Sequence, residues 1–235
     1  MRTPRSTVAT TFDLEIQMTQ PVIEWLRNQG LMVKPEFSVP WGICDLVAVR
    51  LDAKKVKERL SYGQRRPIGP PIRVHVLSKI PDSRSGSSIS LTKLKGELPS
   101  YVQPDSLSRE LAALTRDRFV SSPRRGRFQK LNGWEPLHVR IVAVELKLAR
   151  ISEALAQAQS NYAFATESYV ALPAKLAHRV LHSSRVDDFR RAGIGLLAAY
   201  PSSCRRLLPP SPDQRMLDDV LQAHCVERFW RTRGN

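Results

Sequence analysis

The run Val139-Arg140-Ile141-Val142-Ala143-Val144 constrains this chain most, because it leads directly into Glu145-Leu146-Lys147. A short apolar run this rich in β-branched residues reads as a buried strand. An inner strand ordinarily finishes on apolar residues or a turn. This one finishes on a carboxylate and an ammonium two positions apart. Side chains alternate along a strand, so Glu145 and Lys147 are expected on one face. An acid and a base side by side at the end of an inner strand point to a site that holds a metal and a phosphate.

The 235-residue chain, 42% hydrophobic, is long enough for one large domain or two small ones with a real core. No apolar stretch approaches the roughly 20 residues needed to cross a bilayer. The segment Met1 to Thr11 lacks the apolar stretch of a secretion signal, so a cytoplasmic location is expected, without a membrane partner. Cys44, Cys204 and Cys225 are widely spaced and odd in number, which suggests neither a disulfide framework nor a zinc site. The formal charge is +15, with a pI near 10.4. Such a balance usually marks a polyanionic partner, most often nucleic acid; the alternative is a surface kept basic for solubility. The charge is unevenly spread. Residues 71–131 carry 12 Lys+Arg against 5 Asp+Glu, whereas residues 132–200 carry 8 against 6. The excess therefore lies in one central segment, as a dedicated binding module requires.

Leu14, Met18, Val22, Trp25 and Leu26 predict a first helix over 11–29, with Pro21 marking a kink or a late start and Gly30 a stop. Two strands follow, Phe37 to Pro40 and Ile43 to Val49, joined at Trp41-Gly42. A charged helix spans Lys54 to Leu60. Beyond the linker Tyr62 to Pro71, helices are expected at Ile72–Ile80, Ile89–Leu98 and from Pro104 onward, the last with good N-terminal chemistry. Two β-like stretches, Phe119–Ser121 and Phe128–Leu131, flank the Arg-rich turn Ser122 to Arg127. After the Glu145-x-Lys147 strand come a helix over Ile151–Thr166, a strand over Ser168–Leu172, helices over Pro173–Ser183 and Val186–Ala192, and a strand over Ile194–Ala199. That alternation is the signature of an α/β layer. A Pro-rich linker, Leu208 to Pro212, leads to a last helix over Met216–Trp230.

Three helices followed by a basic hairpin, from Ile72 to Leu131, resemble a winged helix-turn-helix. In that family the third helix enters the major groove and the wing follows the backbone. The resemblance implies that Ser106, Ser108, Arg109 and Ala112 face DNA, that Arg124, Arg125 and Arg127 touch phosphates or the minor groove, and that Leu107, Leu111, Leu114, Phe119 and Val120 are core. The alternative is a helical insert with a solvated charged turn.

Asp45 interrupts the second apolar strand, where a charge is costly. Asp45 together with Glu145-Leu146-Lys147, after an initial helix and before further helix–strand units, resembles the PD-(D/E)XK nuclease superfamily over residues 12–50 and 138–200. The resemblance implies a restriction-endonuclease-like α/β fold, a central mixed sheet flanked by helices. It implies Asp45, Glu145 and the Leu146 backbone carbonyl as ligands of Mg²⁺, for which Mn²⁺ substitutes, and Lys147 as the catalytic lysine. Glu15 matches a first-helix glutamate that some members use at the metal, or is a surface carboxylate. Gln159 and Tyr162 fall where some members touch the phosphate, or they pack against the sheet. Cys44 stands where many members have proline, and 100 residues separate Asp45 from Glu145. The basic insert accounts for most of that gap. The implied organisation is a discontinuous nuclease-like domain, 11–70 and 132–200, an inserted winged-helix domain, 71–131, and a C-terminal helical extension, 201–235.

The function expected on these grounds is a Mg²⁺-dependent deoxyribonuclease acting on duplex DNA, nucleoid-associated, with a homodimer supplying two sites for two strands. The alternatives are a nuclease-like DNA-binding regulator that no longer cuts, and an RNA-binding or RNA-processing protein. His178 and His182 are four apart on a helix but lack the partner glutamate of a zinc motif, and read as surface residues.

Overall fold

The computed structural model describes residues 12–131, 136–211 and 217–230. In chain order its strands are β1 (Met32–Val39), β2 (Gly42–Leu51), β3 (Ile89–Ser90), β4 (Val120–Arg124), β5 (Arg127–Lys130), β6 (His138–Leu146), β7 (Glu167–Pro173), β8 (Gly195–Tyr200) and β9 (Ser203–Leu208). Its α-helices are α1 (Thr19–Arg27), α2 (Ala53–Ser61), α3 (Pro71–Lys79), α4 (Leu91–Gly96), α5 (Pro104–Arg116), α6 (Ile151–Ser160), α7 (Ala174–Leu181), α8 (Val186–Ala192) and α9 (Asp219–Glu227). They form two compact units, one from Met1–Arg50 and Arg140–Leu217, the other from Leu51–Val139 and Asp218–Asn235.

The first unit is α/β, built on a six-stranded sheet in the order β1-β2-β6-β7-β8-β9. The sheet is mixed: β6, β7 and β8 run parallel, while β1 pairs antiparallel with β2, and β9 with β8. Parallel strands are covered on both faces, which is why β6 and β7 read as unbroken apolar runs. On one face Met18, just ahead of α1, and Val22, Ile23 and Leu26 of α1 lie over Leu46, Ala48, Val142, Val144 and Leu146. On the other, α6, α7 and α8 bury Ala154, Leu155, Ala158, Val180 and Phe189 against Val170, Leu172, Leu196 and Ala198.

The second unit gathers α3, α4, α5 and a three-stranded sheet, order β3-β5-β4, around Val74, Leu77, Leu94, Leu107, Leu111, Leu114, Phe119 and Val120. Its helices start on the residues that their chemistry favours. Asp52 caps α2 by accepting from the N–H groups of Lys54 and Lys55, Ser90 caps α4, and Pro104 is the first residue of α5. Helix α9 joins this core through Ala223. Arg59 of α2 is buried there, paired with both carboxylate oxygens of Glu227 at 2.5 and 2.9 Å and lying 4.0 Å from the Trp230 ring centroid.

Several boundaries depart from the sequence reading. The first helix is a 3₁₀ turn, Glu15–Met18, followed by α1, so Pro21 falls in its first turn, where a missing N–H costs nothing. The β1–β2 turn is at Pro40-Trp41 rather than Trp41-Gly42. The helix expected over 89–98 opens as β3, because Ile89 and Ser90 pair with Phe128 and Arg127. The helix expected over 151–166 stops at Ser160 and tightens into a 3₁₀ turn, Asn161–Ala163. The stretch 201–235 is not purely helical. Ser203–Leu208 forms β9, whose alternation is masked by Arg205 and Arg206, and the final helix is confined to Asp219–Glu227; Met216, its expected start, lies outside the described residues.

Candidate functional site

Strand β6 ends at Leu146, and Lys147 follows it, its N–H donated to the Ala171 carbonyl at 3.1 Å. Val144 and Leu146 belong to the core beneath α1, so alternation turns Glu145 to the opposite face. There Asn161, in the 3₁₀ turn after α6, donates from Nδ2 to Glu145 Oε1 at 2.7 Å. Glu145 is 3% exposed and Lys147 8%.

Asp45 reaches this place from the neighbouring strand by a local irregularity. Leu46 and Ala48 lie in the α1-side core, and strict alternation would put Cys44 there too. Instead Cys44 Sγ is 3.5 Å from Asn161 Nδ2, on the Glu145 side. Its partner across the strand pair, Phe37, stacks on Phe164 from the same segment after α6. The two strands thus exchange faces at Asp45. Glu36, which lies opposite Asp45 at the one position missing from the paired register, takes a left-handed φ of 49°. Freed from the pleat, Asp45 accepts the Leu146 N–H on Oδ2 at 2.7 Å.

Glu15, from the 3₁₀ turn ahead of α1, closes the group. Its Oε1 accepts the Leu148 N–H at 3.2 Å and its Oε2 lies 3.7 Å from Lys147 Nζ. Asn161 thus holds Glu145 and Glu15 approaches Lys147, whose charge acts on both Glu145 and Asp45.

The electrostatics follow from burial. Desolvation pushes the Glu145 carboxyl up to about 7; the Asp45 charge adds to this, and the Asn161 hydrogen bond and Lys147 charge oppose it. Desolvation also raises Asp45, against the pull of the Leu146 N–H and of Lys147. Burial and both neighbouring carboxylates raise the Cys44 thiol, which stays protonated. Two acids that each resist ionisation share one corner with one lysine. Among the described residues no three His, Cys, Asp or Glu side chains are grouped so as to hold a metal by themselves. The side-chain donors gathered here are the carboxylates of Asp45 and Glu145.

Tyr162 and Gln159 are not brought to this group. The Tyr162 ring is buried and its hydroxyl donates to the Gly193 carbonyl at 2.5 Å, tying the turn after α6 to the end of α8. Gln159 is exposed on α6. The polar residues that do face inward are Asn161 and, one turn earlier, Gln157; each has a buried side-chain oxygen without a hydrogen-bond partner. Their signal was legible. Both interrupt the apolar stripe Ile151, Ala154, Leu155, Ala158 at helical spacing, where only a residue with a polar task is tolerated. Cys44 gave no such signal, since a lone apolar thiol in a strand is ordinary core.

In the second unit Ser108, Arg109 and Ala112 are exposed on α5, opposite the buried Leu107, Leu111 and Leu114. Ser106 is half-buried, and Arg109 Nη2 donates to its Oγ at 3.1 Å. Arg124 and Arg127 pair across the hairpin, with Arg125 and Gly126 at its tip, Gly126 taking a φ of 69°. Arg127 is engaged within the unit, donating to Ser88 Oγ and to the Ser88 carbonyl. His178 is 3.0 Å from the Tyr200 hydroxyl, and His182 is exposed. Among the described residues no helix is long and apolar enough to cross a membrane.

No family model, no curated protein and no solved structure matches this chain.

Proposed function

We propose that the chain is a metal-dependent DNA endonuclease whose second unit is a winged-helix reader of duplex DNA. The observation that carries this reading is the convergence of Asp45 and Glu145, 100 residues apart, on the two sides of Leu146 with Lys147 next to them. The resemblance to PD-(D/E)XK nucleases requires that meeting, and nothing in the linear order imposes it.

The donor set fits a hard cation. Magnesium takes oxygen ligands and keeps several waters, so one or two carboxylates suffice. Burial raises both carboxyls, with the Asp45 charge adding to the rise at Glu145 and the Glu15 charge to that at Asp45, and a divalent cation would favour their ionised forms. Asp45, Glu145 and the Leu146 carbonyl would hold Mg²⁺ or Mn²⁺. When bound, the ion polarises the phosphoryl oxygen and lowers the pKa of water. Asn161 keeps one oxygen of Glu145 fixed. Lys147 orients the attacking water and offsets charge that develops on the phosphate, while Glu15 holds the ammonium in place. In the second unit, the exposed face of α5 and the arginines of the β4–β5 hairpin are the DNA-facing surfaces, in keeping with the basic excess of 71–131. Cleavage of both strands calls for two such centres, hence a homodimer.

The test is supercoiled plasmid incubated with and without Mg²⁺. Wild type cuts only with the ion. Asp45→Ala and Glu145→Ala do not cut. Lys147→Ala loses about 10²–10⁴-fold in rate while retaining DNA binding. Cutting that survives both carboxylate substitutions overturns the site, and a wild type that binds duplex DNA without cutting in either Mg²⁺ or Mn²⁺ leaves the regulator reading in its place.

A further inference from the structure

A cleft of about 800 Å³ opens immediately beyond the candidate site, beginning one residue after Lys147. Its floor is apolar, formed by Leu148, Leu176 and Val180, and its rim is cationic and hydroxylic, with Arg150, Arg179, Arg185 and Ser183. The single acid in its lining, Glu153, is paired with Arg150 at 2.9 Å. Arg179 and Arg185 have no acidic partner within 4.0 Å among the described residues. Three other arginines of this unit are paired, Arg140 with Glu167, Arg190 with Asp187 and Arg191 with Asp188. Two uncompensated guanidinium groups on one cleft form a binding site for an anion, and guanidinium matches phosphate geometry.

Resting on the nuclease reading, we infer that this cleft receives the nucleotide next to the scissile bond, its phosphate on Arg179 and Arg185 and its sugar and base over the apolar floor. Three features select this occupant. The volume lies in the range of pockets that enclose small organic ligands. An apolar floor beneath a cationic rim suits a nucleotide better than a bare inorganic anion, which would gain nothing from Leu148, Leu176 and Val180. The cleft is also continuous in the chain with the candidate centre: Leu148, at its mouth, gives its N–H to Glu15, and Glu15 holds Lys147. On this inference a DNA strand with one phosphate at Asp45 and Glu145 sets its neighbouring nucleotide in the cleft. The sites differ in purpose, one handling the bond that breaks and the other fixing the register of the strand.

The test uses the full chain in EDTA, so that no cutting intervenes, and measures duplex DNA affinity from 50 to 400 mM salt (~ranges set by the salt dependence of phosphate contacts). Each phosphate contact contributes about 0.9 to the slope of log K against log salt. Arg179→Gln/Arg185→Gln is expected to lower the slope by about 1–2, and Arg179→Glu to weaken binding further at low salt. The control Arg190→Gln/Arg191→Gln removes two exposed, already paired arginines from the same unit and is expected to leave the slope at the wild-type value. A slope unchanged in the cleft variant, or lowered equally in the control, overturns the proposal whether or not the protein cuts DNA. A lowered slope in a protein that never cuts leaves the cleft as a strand-binding site and removes only the nuclease reading.

Discussion

Replacing Glu145 by glutamine should reverse the usual penalty of altering a buried charged residue. The folded chain holds the Glu145 carboxyl at about 7 against an ordinary 4.5, chiefly by desolvation. That difference corresponds to about 3 kcal/mol, since each pH unit is worth 1.36 kcal/mol. The sign follows from proton linkage. Between pH 4.5 and 7 the folded state binds more protons than the unfolded one, so stability falls as pH rises. The stabilisation from protonated Glu145 is complete below 4.5 and gone above 7. Asp45, also raised, acts in the same direction. His138 and His224 act the other way: burial lowers both, so the stability they contribute is present above the ordinary histidine value of 6.5 and lost as pH falls. The histidine contributions are common to wild type and variant and cancel in the difference. Glutamine is neutral and of the same shape, and its side-chain oxygen still accepts from Asn161. Urea denaturation of metal-free protein should therefore give equal stabilities near pH 4.5 and a variant more stable by about 3 kcal/mol at pH 8. Mg²⁺ should narrow the gap at pH 8 by stabilising wild type alone. A difference that stays flat from pH 4.5 to 8 in metal-free protein would mean that Glu145 ionises as freely as a surface carboxylate, and the desolvated acid pair would have to be abandoned.

Two further substitutions probe the scaffold. Glu227→Ala removes both acceptors of the buried Arg59 guanidinium and the acceptor of the Ile68 N–H, and should cost about 3–5 kcal/mol in denaturation, with Arg59→Leu/Glu227→Leu losing less than the single change; a loss below about 1 kcal/mol would contradict this. Gly195→Ala places a Cβ 2.3 Å from Tyr169 Cδ1, so the ring that packs edge-on to Trp25 must move; the expected cost is about 1–3 kcal/mol with a change in tryptophan fluorescence, and an unchanged thermal midpoint would refute it.

The parts of the fold that could be read from the sequence are those where one period dominates. The runs in β6 and β7 are apolar on both faces, and α5 carries its leucines on one face, so both elements declare themselves. The two-residue β3 does not, because it exists only through its partners Phe128 and Arg127 on β5. Strand β9 is an edge strand with exposed Arg205 and Arg206, and such strands lack the apolar alternation that identifies inner ones. At the site, Asp45, Glu145 and Lys147 stood out as charges in apolar runs. The exchange of faces at Asp45 did not, since it depends on the left-handed Glu36 across the ladder, and glutamate has no intrinsic preference for that conformation. Asn161 carries a signal too, but a helix expected to run on to 166 makes it one more helical polar residue, whereas the 3₁₀ turn after Ser160 is what aims it inward.

A buried charge is weak evidence of function on its own, and the same sheet supplies the comparison that gives it weight. Arg140 also lies in β6. It donates to both oxygens of Glu167 at 2.5 and 2.7 Å and to Gln29 at 2.9 Å, so opposite charges meet in bidentate geometry with every contact satisfied. That is a structural ion pair, and the fold would lose stability if either member were removed. Five residues further along, Glu145 has a second acid as its nearest charged neighbour on β2, and the lysine next to it is engaged with Glu15 instead. An apolar residue at either position would relieve the desolvation that lifts both carboxyls. Structural economy accounts for Arg140 and Glu167. It does not account for Asp45 and Glu145, two acids buried side by side at a desolvation cost that no bidentate partner offsets.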